Sequence, residues 1–305
     1  MTDDAGDDAS HPSNGGSAAG DGRAAGDGRA AGDGRAAGDG RLTGGAAGVA
    51  DAPRIVLAAR RDGPAALWLI RHGQSEGNVI RSAAEAEQSE EYVLGSRDAD
   101  VPLSDLGRRQ ADALGRWLAA RAREERPTVA LCSPYLRARQ TAEGVLTAAG
   151  LLDDVPIELD ERLRDREMGE WDGLTWRGIQ ARHPDEARRA MLVGRFFHRP
   201  PGGESWTDIA LRLRSLLADA ARELPDERVL LVSHDITSQL VRMIVDGLDE
   251  ETTVDLVLTN PYANCGLTTY ERTPDGYRLT AYNETVPVED QGEAVTEERD
   301  VPAGR

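Results

Sequence analysis

No lysine occurs anywhere in the 305 residues, so all 36 cationic side chains are arginine. This absence removes the chemistry that rests on a lysine amine: Schiff bases, pyridoxal phosphate anchoring and the phosphate grip of P-loop enzymes. Cysteine is nearly as scarce. Cys132 and Cys265 are too few for a disulfide framework or a four-cysteine zinc site, and both lie in apolar, strand-like settings where a plain buried thiol is expected. Positive charge is in deficit, 36 cations against 54 acids for a formal net of −18. Neither nucleic acid nor an anionic membrane is therefore an expected partner, since both reward clustered cations. Apolar runs such as Val229 to Val232 fall far short of the ~20 residues that cross a bilayer. The opening Met1-Thr2-Asp3-Asp4 has neither the cationic nor the apolar region of a secretory leader. A cytoplasmic protein with reduced thiols is the expectation.

Large side chains are missing from both ends. Residues 18 to 41 repeat Ala-Ala-Gly-Asp-Gly-Arg four times, a unit with two glycines and nothing bulky to bury. The entropy of ordering such a segment has no apolar burial to offset it, so residues 1–52 are expected to be a disordered low-complexity tail. Residues 289–305 are acidic and poor in apolar side chains, and are expected to form a second, acidic disordered tail. Between them, 53–288 is long enough for one α/β domain.

Inside that domain the periods alternate. Leu67-Trp68-Leu69-Ile70, Val129 to Cys132 and Val229 to Val232 read as short buried strands. Ser104 is placed to cap a helix carrying Leu106, Ala111, Leu114, Trp117 and Leu118. Pro134 suits the first turn of a helix through Ala148. Ser205 opens a long helix with Ile209, Leu213, Leu216, Leu217 and Ala220 on one face, and a further helix holds Ile236, Leu240 and Ile244. Cys265 to Tyr270 and Tyr277 to Tyr282, joined by Pro274-Asp275-Gly276, read as a hairpin. Strands alternating with helices predict a mostly parallel sheet flanked by helices on both faces.

Ligands of open α/β sheets collect beyond the carboxyl ends of the strands. The three buried runs are followed by Arg71-His72-Gly73-Gln74-Ser75-Glu76-Gly77-Asn78, by Ser133-Pro134-Tyr135-Leu136-Arg137, and by Ser233-His234-Asp235. Two imidazoles set among arginines need an anion to offset the shared positive charge, and a phosphoryl group fits the planar guanidinium fork. Neighbouring cations also pull an imidazole pKa down, which leaves a ring nitrogen free to attack phosphorus.

The run Leu69-Ile70-Arg71-His72-Gly73-Gln74-Ser75-Glu76-Gly77-Asn78 resembles the signature of the histidine phosphatase superfamily, the cofactor-dependent phosphoglycerate mutase-like proteins. Pro102-Leu103-Ser104 with Gly107 and Gln110-Ala111 extends the likeness, as do Ser133-Pro134 with Arg137-Ala138 and Gln140-Thr141, then Gly202-Gly203-Glu204-Ser205, and Val232-Ser233-His234. The resemblance spans about residues 66 to 285 and implies a three-layer sandwich around a mostly parallel sheet. It implies that His72 becomes phosphohistidine, that Arg71, Arg137 and His234 hold phosphoryl oxygens, and that Asn78 is a further donor. His234 thus serves both catalysis and phosphate binding. Arg139 is expected to be a surface charge. For the general acid, many relatives carry glutamate where Asp165 stands; Asp165 is favoured over Glu167, one methylene shorter than the usual residue and so obliged to sit closer to the leaving oxygen.

Three other readings stay in play. His234-Asp235 is similar to the metal-binding pair of HD-type phosphohydrolases, but that fold is helical and His11, His183 and His198 have no ligand spacing to the pair. Phosphoglycerate mutase-type transfer differs only in returning the phosphoryl group to a second hydroxyl, although the acidic stretch Val79 to Arg97 lacks the residues expected of a glycolytic mutase. A catalytically inactive phosphate-binding module is the third. Phe196 and Phe197, the only phenylalanines, are expected as core plugs, while Arg195 and Arg199 lie either at the surface or against a second anionic group of the substrate. The favoured expectation is a metal-independent phosphatase, without cofactor, acting on a small phosphate monoester.

Overall fold

Residues Ala66–Arg71 form β1, Val129–Cys132 form β2 and Arg228–Ser233 form β4, each an apolar run buried along nearly its whole length. The computed structural model describes residues 63–298; the repeats expected to be disordered lie outside the described residues, as do 299–305. With β3 (Ile157–Leu159), β5 (Leu267–Thr273) and β6 (Gly276–Glu284) the strands make one six-stranded sheet in the order β3-β2-β4-β1-β5-β6. β1 to β4 run parallel, and β5 and β6 close one edge as the expected antiparallel hairpin. Of the helices, α1 covers Glu76–Ala86, α2 Asp105–Ala119, α3 Leu136–Ala148, α4 Trp176–Arg182, α5 Pro184–Val193, α6 Trp206–Glu223, α7 Asp235–Asp246, α8 Glu250–Thr259 and α9 Val286–Glu289. Among the described residues, no helix is long and apolar enough to cross a membrane.

A continuous apolar strand buries both faces because successive side chains point to opposite sides. Leu67 and Leu69 of β1 with Val229 and Leu231 of β4 pack against Ile209, Leu213 and Leu217 of α6 and Leu240 and Ile244 of α7. Trp68, Ile70, Leu230 and Val232 face the other way, onto Ala111, Leu114 and Leu118 of α2 and Val145 and Leu146 of α3. Each fully buried leucine or isoleucine in these layers contributes about 1.5–3 kcal/mol. Cys132 and Cys265 are free thiols buried in the second layer, as expected, and burial pushes the Cys132 thiol up to about 12.

Capping follows the sequence in two of three cases. Ser104 and Ser205 accept N–H donors of the first turns of α2 and α6. Pro134 does not start α3: the helix begins at Leu136 with Tyr135 as its cap residue, because Ser133 and Pro134 are spent carrying the chain off the end of β2. A second expectation fails at residues 289–298, read as a solvated tail. Val295 packs on the second core layer, Arg109 pairs with Glu293 at 2.9 Å and the Asn264 N–H donates to the Thr296 carbonyl at 2.9 Å. One apolar anchor next to the buried Val288, with a few specific polar contacts, suffices to dock a segment that is acidic on average.

Candidate active site

Strand register decides which loop residues meet. Arg71 of β1 lies level with Ser233 of β4, and Cys132 of β2 with Val232 of β4, so the residues just beyond these ends share one edge. The ladder runs on one step: the His72 N–H donates to the Ser233 carbonyl at 2.9 Å and the Ser133 N–H to that of Val232 at 3.0 Å. The rings of His72 and His234 consequently stand edge to face with centroids 5.1 Å apart. His72 Nδ1–H donates to the Gly73 carbonyl at 2.7 Å, which leaves Nε2 with the lone pair. Asn264 holds the His72 carbonyl at 3.0 Å, and the Gly73 N–H donates to Thr141 Oγ1 at 3.0 Å.

The loop carrying His72 lies so close to α2 that side chains do not fit between them. A Cβ on Gly73 would stand 2.5 Å from the Gly107 carbonyl oxygen, and one on Gly107 would overlap Gln74. Around this contact the Gln74 N–H donates to Gln110 Oε1 at 2.9 Å and the Ser104 N–H to the Gln74 carbonyl at 2.9 Å. Ser75 and Asn78 then form a capping box at the start of α1. Because Asn78 Oδ1 accepts from the Ser75 N–H, its amide NH2 is the group left for the pocket, as the donor role requires.

His234 precedes the first turn of α7, with Nε2 2.8 Å from Ser133 Oγ and Nδ1 3.1 Å from Asp165 Oδ2. Asp165 also accepts from Arg137 Nη2 at 2.9 Å. One donor atom from each of His72, Asp165 and His234 lies within 4.8 Å of the others. Glu167 takes no part in this cluster: it is exposed and its Oε1 accepts from the Gly169 N–H at 3.1 Å. The loop bearing Asp165 is fixed from behind by Arg212, which bonds Glu204 through Nε at 3.1 Å and the Asp165 carbonyl through Nη2 at 3.3 Å. Glu204 also holds Arg164, so this acid of the Gly-Gly-Glu-Ser motif is structural.

The counter-charge expected from a ligand is already supplied by the chain. Arg137, 4% exposed, makes a two-pronged contact with Asp98 at 3.0 and 3.1 Å in addition to Asp165. Arg71, 3% exposed, reaches Glu298 at 2.9 Å and the Tyr262 carbonyl at 2.5 Å. The His72 pKa lies well below the ordinary imidazole value, chiefly through burial and only then through Arg137, His234 and Arg71. The His234 pKa is also lowered, by burial, which outweighs the opposing pull of Asp165. Burial pushes the Asp165 carboxyl up, yet His234, Arg137 and His72 together hold it well below the usual carboxylate range.

Of the residues read from the sequence as site residues, Arg71, His72, Asn78, Arg137, Asp165 and Glu167 line one pocket of about 510 Å³. His234 is buried immediately behind His72. Arg139 is exposed, as expected. The pairs left open divide: Arg195 is buried on the pocket wall, whereas Arg199 pairs with Asp208 outside it; Phe196 packs against the core, whereas Phe197 is half exposed. The pocket lining also includes Leu94, Trp171, Trp176 and Ile179, and His198 stacks on Trp171 with centroids 4.9 Å apart. Asp98, Asn264, Tyr262, Arg212 and Glu298 had no local sequence signal, since the contact by which each reaches the site joins residues 39 or more positions apart.

Comparison with known proteins agrees with this geometry. The model of the histidine phosphatase superfamily (branch 1) matches residues 67–285. A 2,3-bisphosphoglycerate-dependent phosphoglycerate mutase of Methylobacterium radiotolerans is 33% identical over 192 residues, covering 62% of this chain and 83% of that protein. A glucosyl-3-phosphoglycerate phosphatase of Mycobacterium tuberculosis is 34% identical over 179 residues, covering 55% and 69%. Among solved structures, a mycobacterial glucosyl-3-phosphoglycerate phosphatase in complex with VO3 superposes with a TM-score of 0.56 at 29% identity, covering 72% of this chain and 98% of that one. With the signature residues gathered at one sheet edge and the family match running over most of the domain, the chain belongs to the histidine phosphatase superfamily, branch 1.

Proposed function

We propose that the protein is a metal-independent phosphomonoesterase of the cytoplasm, its catalytic domain spanning about residues 53–288 with the docked segment to 298 added, and that it works through a phosphohistidine at His72. The observation that carries this reading is the buried His72 ring, its Nδ1 spent on Gly73, beside His234 and between two buried arginines. The phosphoryl group of a monoester takes Arg71, Arg137, His234 and the Asn78 amide. His72 Nε2 attacks phosphorus, the N–P bond forms as the ester P–O bond breaks, and Asp165 gives its proton to the departing alkoxide. Water then attacks the phosphohistidine while the Asp165 carboxylate takes the water proton, which releases inorganic phosphate and restores both groups. Phosphate dianion arriving at Arg137 displaces Asp165 from its cation and repels its charge, which raises the Asp165 pKa; the carboxylate takes one proton from solvent as the ester binds and returns it to solvent when phosphate leaves.

A pocket of about 510 Å³ whose lining includes Trp171, Trp176, Leu94 and Ile179 favours a leaving group of small organic size, larger than methyl or glyceryl alone would need. Phosphate release from a panel of sugar, nucleoside and acyl-glycerol monoesters, with and without chelator, tests the reading against His72→Ala. Turnover is expected to be chelator-insensitive and to drop on the order of 10³-fold or more in the variant. Turnover that survives the substitution, or that needs added divalent metal, overturns the reading. Conversion of 3-phosphoglycerate primed by its bisphosphate, without phosphate release, replaces it with the mutase.

A further inference from the structure

Arg71, the first phosphoryl ligand in the proposed function, is already engaged by an acid from the far end of the chain. Glu298 Oε2 accepts from Arg71 Nη2 at 2.9 Å, and both side chains line the pocket beside His72. The Glu298 side chain is 17% exposed, its second oxygen is buried without a partner, and Arg71 Nε is likewise buried and unpartnered. A guanidinium and a carboxylate make their strongest contact through two parallel bonds. Here only one forms, so the pair is a half-satisfied tie that a three-oxygen dianion can outbid.

The segment that brings Glu298 there is latched to the nucleophile loop itself. Gln110 donates to the Ala294 carbonyl at 2.8 Å and to Thr296 Oγ1 at 3.0 Å while its own Oε1 accepts from the Gln74 N–H. Asn264 accepts from Thr296 Oγ1 at 2.8 Å and donates to the His72 carbonyl. The family match ends at residue 285, and the segment carrying Ala294, Thr296 and Glu298 lies beyond it.

We propose that Glu298 is an internal competitor for the phosphoryl group: the docked segment seats a carboxylate on Arg71, and substrate must displace it to be held. The inference rests on Arg71 being a phosphoryl ligand. A tethered group competes at a millimolar-scale effective concentration, and apparent affinity is the intrinsic affinity reduced by the fraction of molecules whose Arg71 is vacant. Docking of residues 290–298 thereby sets the working range of the enzyme, and anything that lifts the segment raises affinity for phosphorylated ligand.

The test is calorimetric binding of inorganic phosphate, and KM for an accepted monoester, in the full chain, in Glu298→Gln and in a chain ended at Glu297, which keeps the Glu293, Ala294 and Thr296 contacts. Phosphate is expected to bind roughly three- to tenfold more tightly in both altered chains, with KM falling in step. Affinity that is unchanged, weaker or unmeasurable in all three overturns the proposal. A rise in KM together with a fall in kcat would instead make Glu298 a support that positions Arg71. Because phosphate binding is read without turnover, loss of this inference is distinguishable from failure of the phosphatase reading.

Discussion

Asp165 is the proton donor of the proposed mechanism, yet it rests ionised between Arg137 and His234. The contacts with His234 and Arg137 account for this, since they outweigh the burial that favours the neutral acid. In the proposed mechanism it therefore works as an acid only once substrate has taken its cations. Asp165→Asn is expected to lower kcat by about 10²–10⁴ for esters of poor leaving groups, and much less for nitrophenyl phosphate, whose alkoxide needs no proton. Glu167→Gln is expected to leave both rates near native, since its carboxylate caps Gly169. Steady-state rates on the two classes of ester check the assignment; equal, mild losses in both variants would refute it. Asp165 and Glu167 are two residues apart and were separable only in part by motif. Backbone geometry separates them by sending one carboxylate inward and the other to solvent.

At the scale of elements, the contact between the β1–α1 loop and the start of α2 is the joint that carries His72, the proposed nucleophile. Gly73 and Gly107 allow backbones to touch there, and Gln110, Ser104 and Thr141 satisfy the buried polar groups around them. Gly107→Ala is expected to cost about 1–3 kcal/mol of stability and to lower kcat as well, because the added methyl pushes Gln74 and hence His72. Denaturant midpoints and kinetics measured together check this; a variant with native kcat would show that the joint does not position the nucleophile. The strands, the caps at Ser104 and Ser205 and the hairpin were legible because they depend on short periodic signals. The start of α3 and the short edge strand β3, only partly buried, were not, since neither carries a periodic pattern of its own.

For the whole molecule, the buried site couples protonation to folding. Burial lowers the pKa values of His72 and His234 in the folded state, whereas both sit near 6.5 once unfolded. The unfolded chain therefore binds more protons below that value, so the stability from keeping these rings neutral is complete above about pH 6.5 and is lost as pH falls beneath it. Each ring contributes a slope of up to about 1.4 kcal/mol per pH unit within that window. The depressed Asp165 adds stability that fails only at lower pH, below about 3.8, as the carboxyl protonates in the unfolded chain first. Thermal melts are expected to show a falling midpoint from pH 7 to 5, and a shallower fall in His72→Asn. A midpoint flat across that range would mean that the two rings are not held neutral by burial.

The amino-acid sequence by itself determined the α/β alternation, the buried strands and the identity of most residues that gather around His72, because strand ends in a parallel sheet must discharge their loops to one side. Tertiary structure alone decided the counter-charges. Asp98 on Arg137 and Glu298 on Arg71 join residues 39 and 227 positions apart. No local period or motif encodes such a pairing, which arises only when two arginines are buried together and the nearest available carboxylates fold over them.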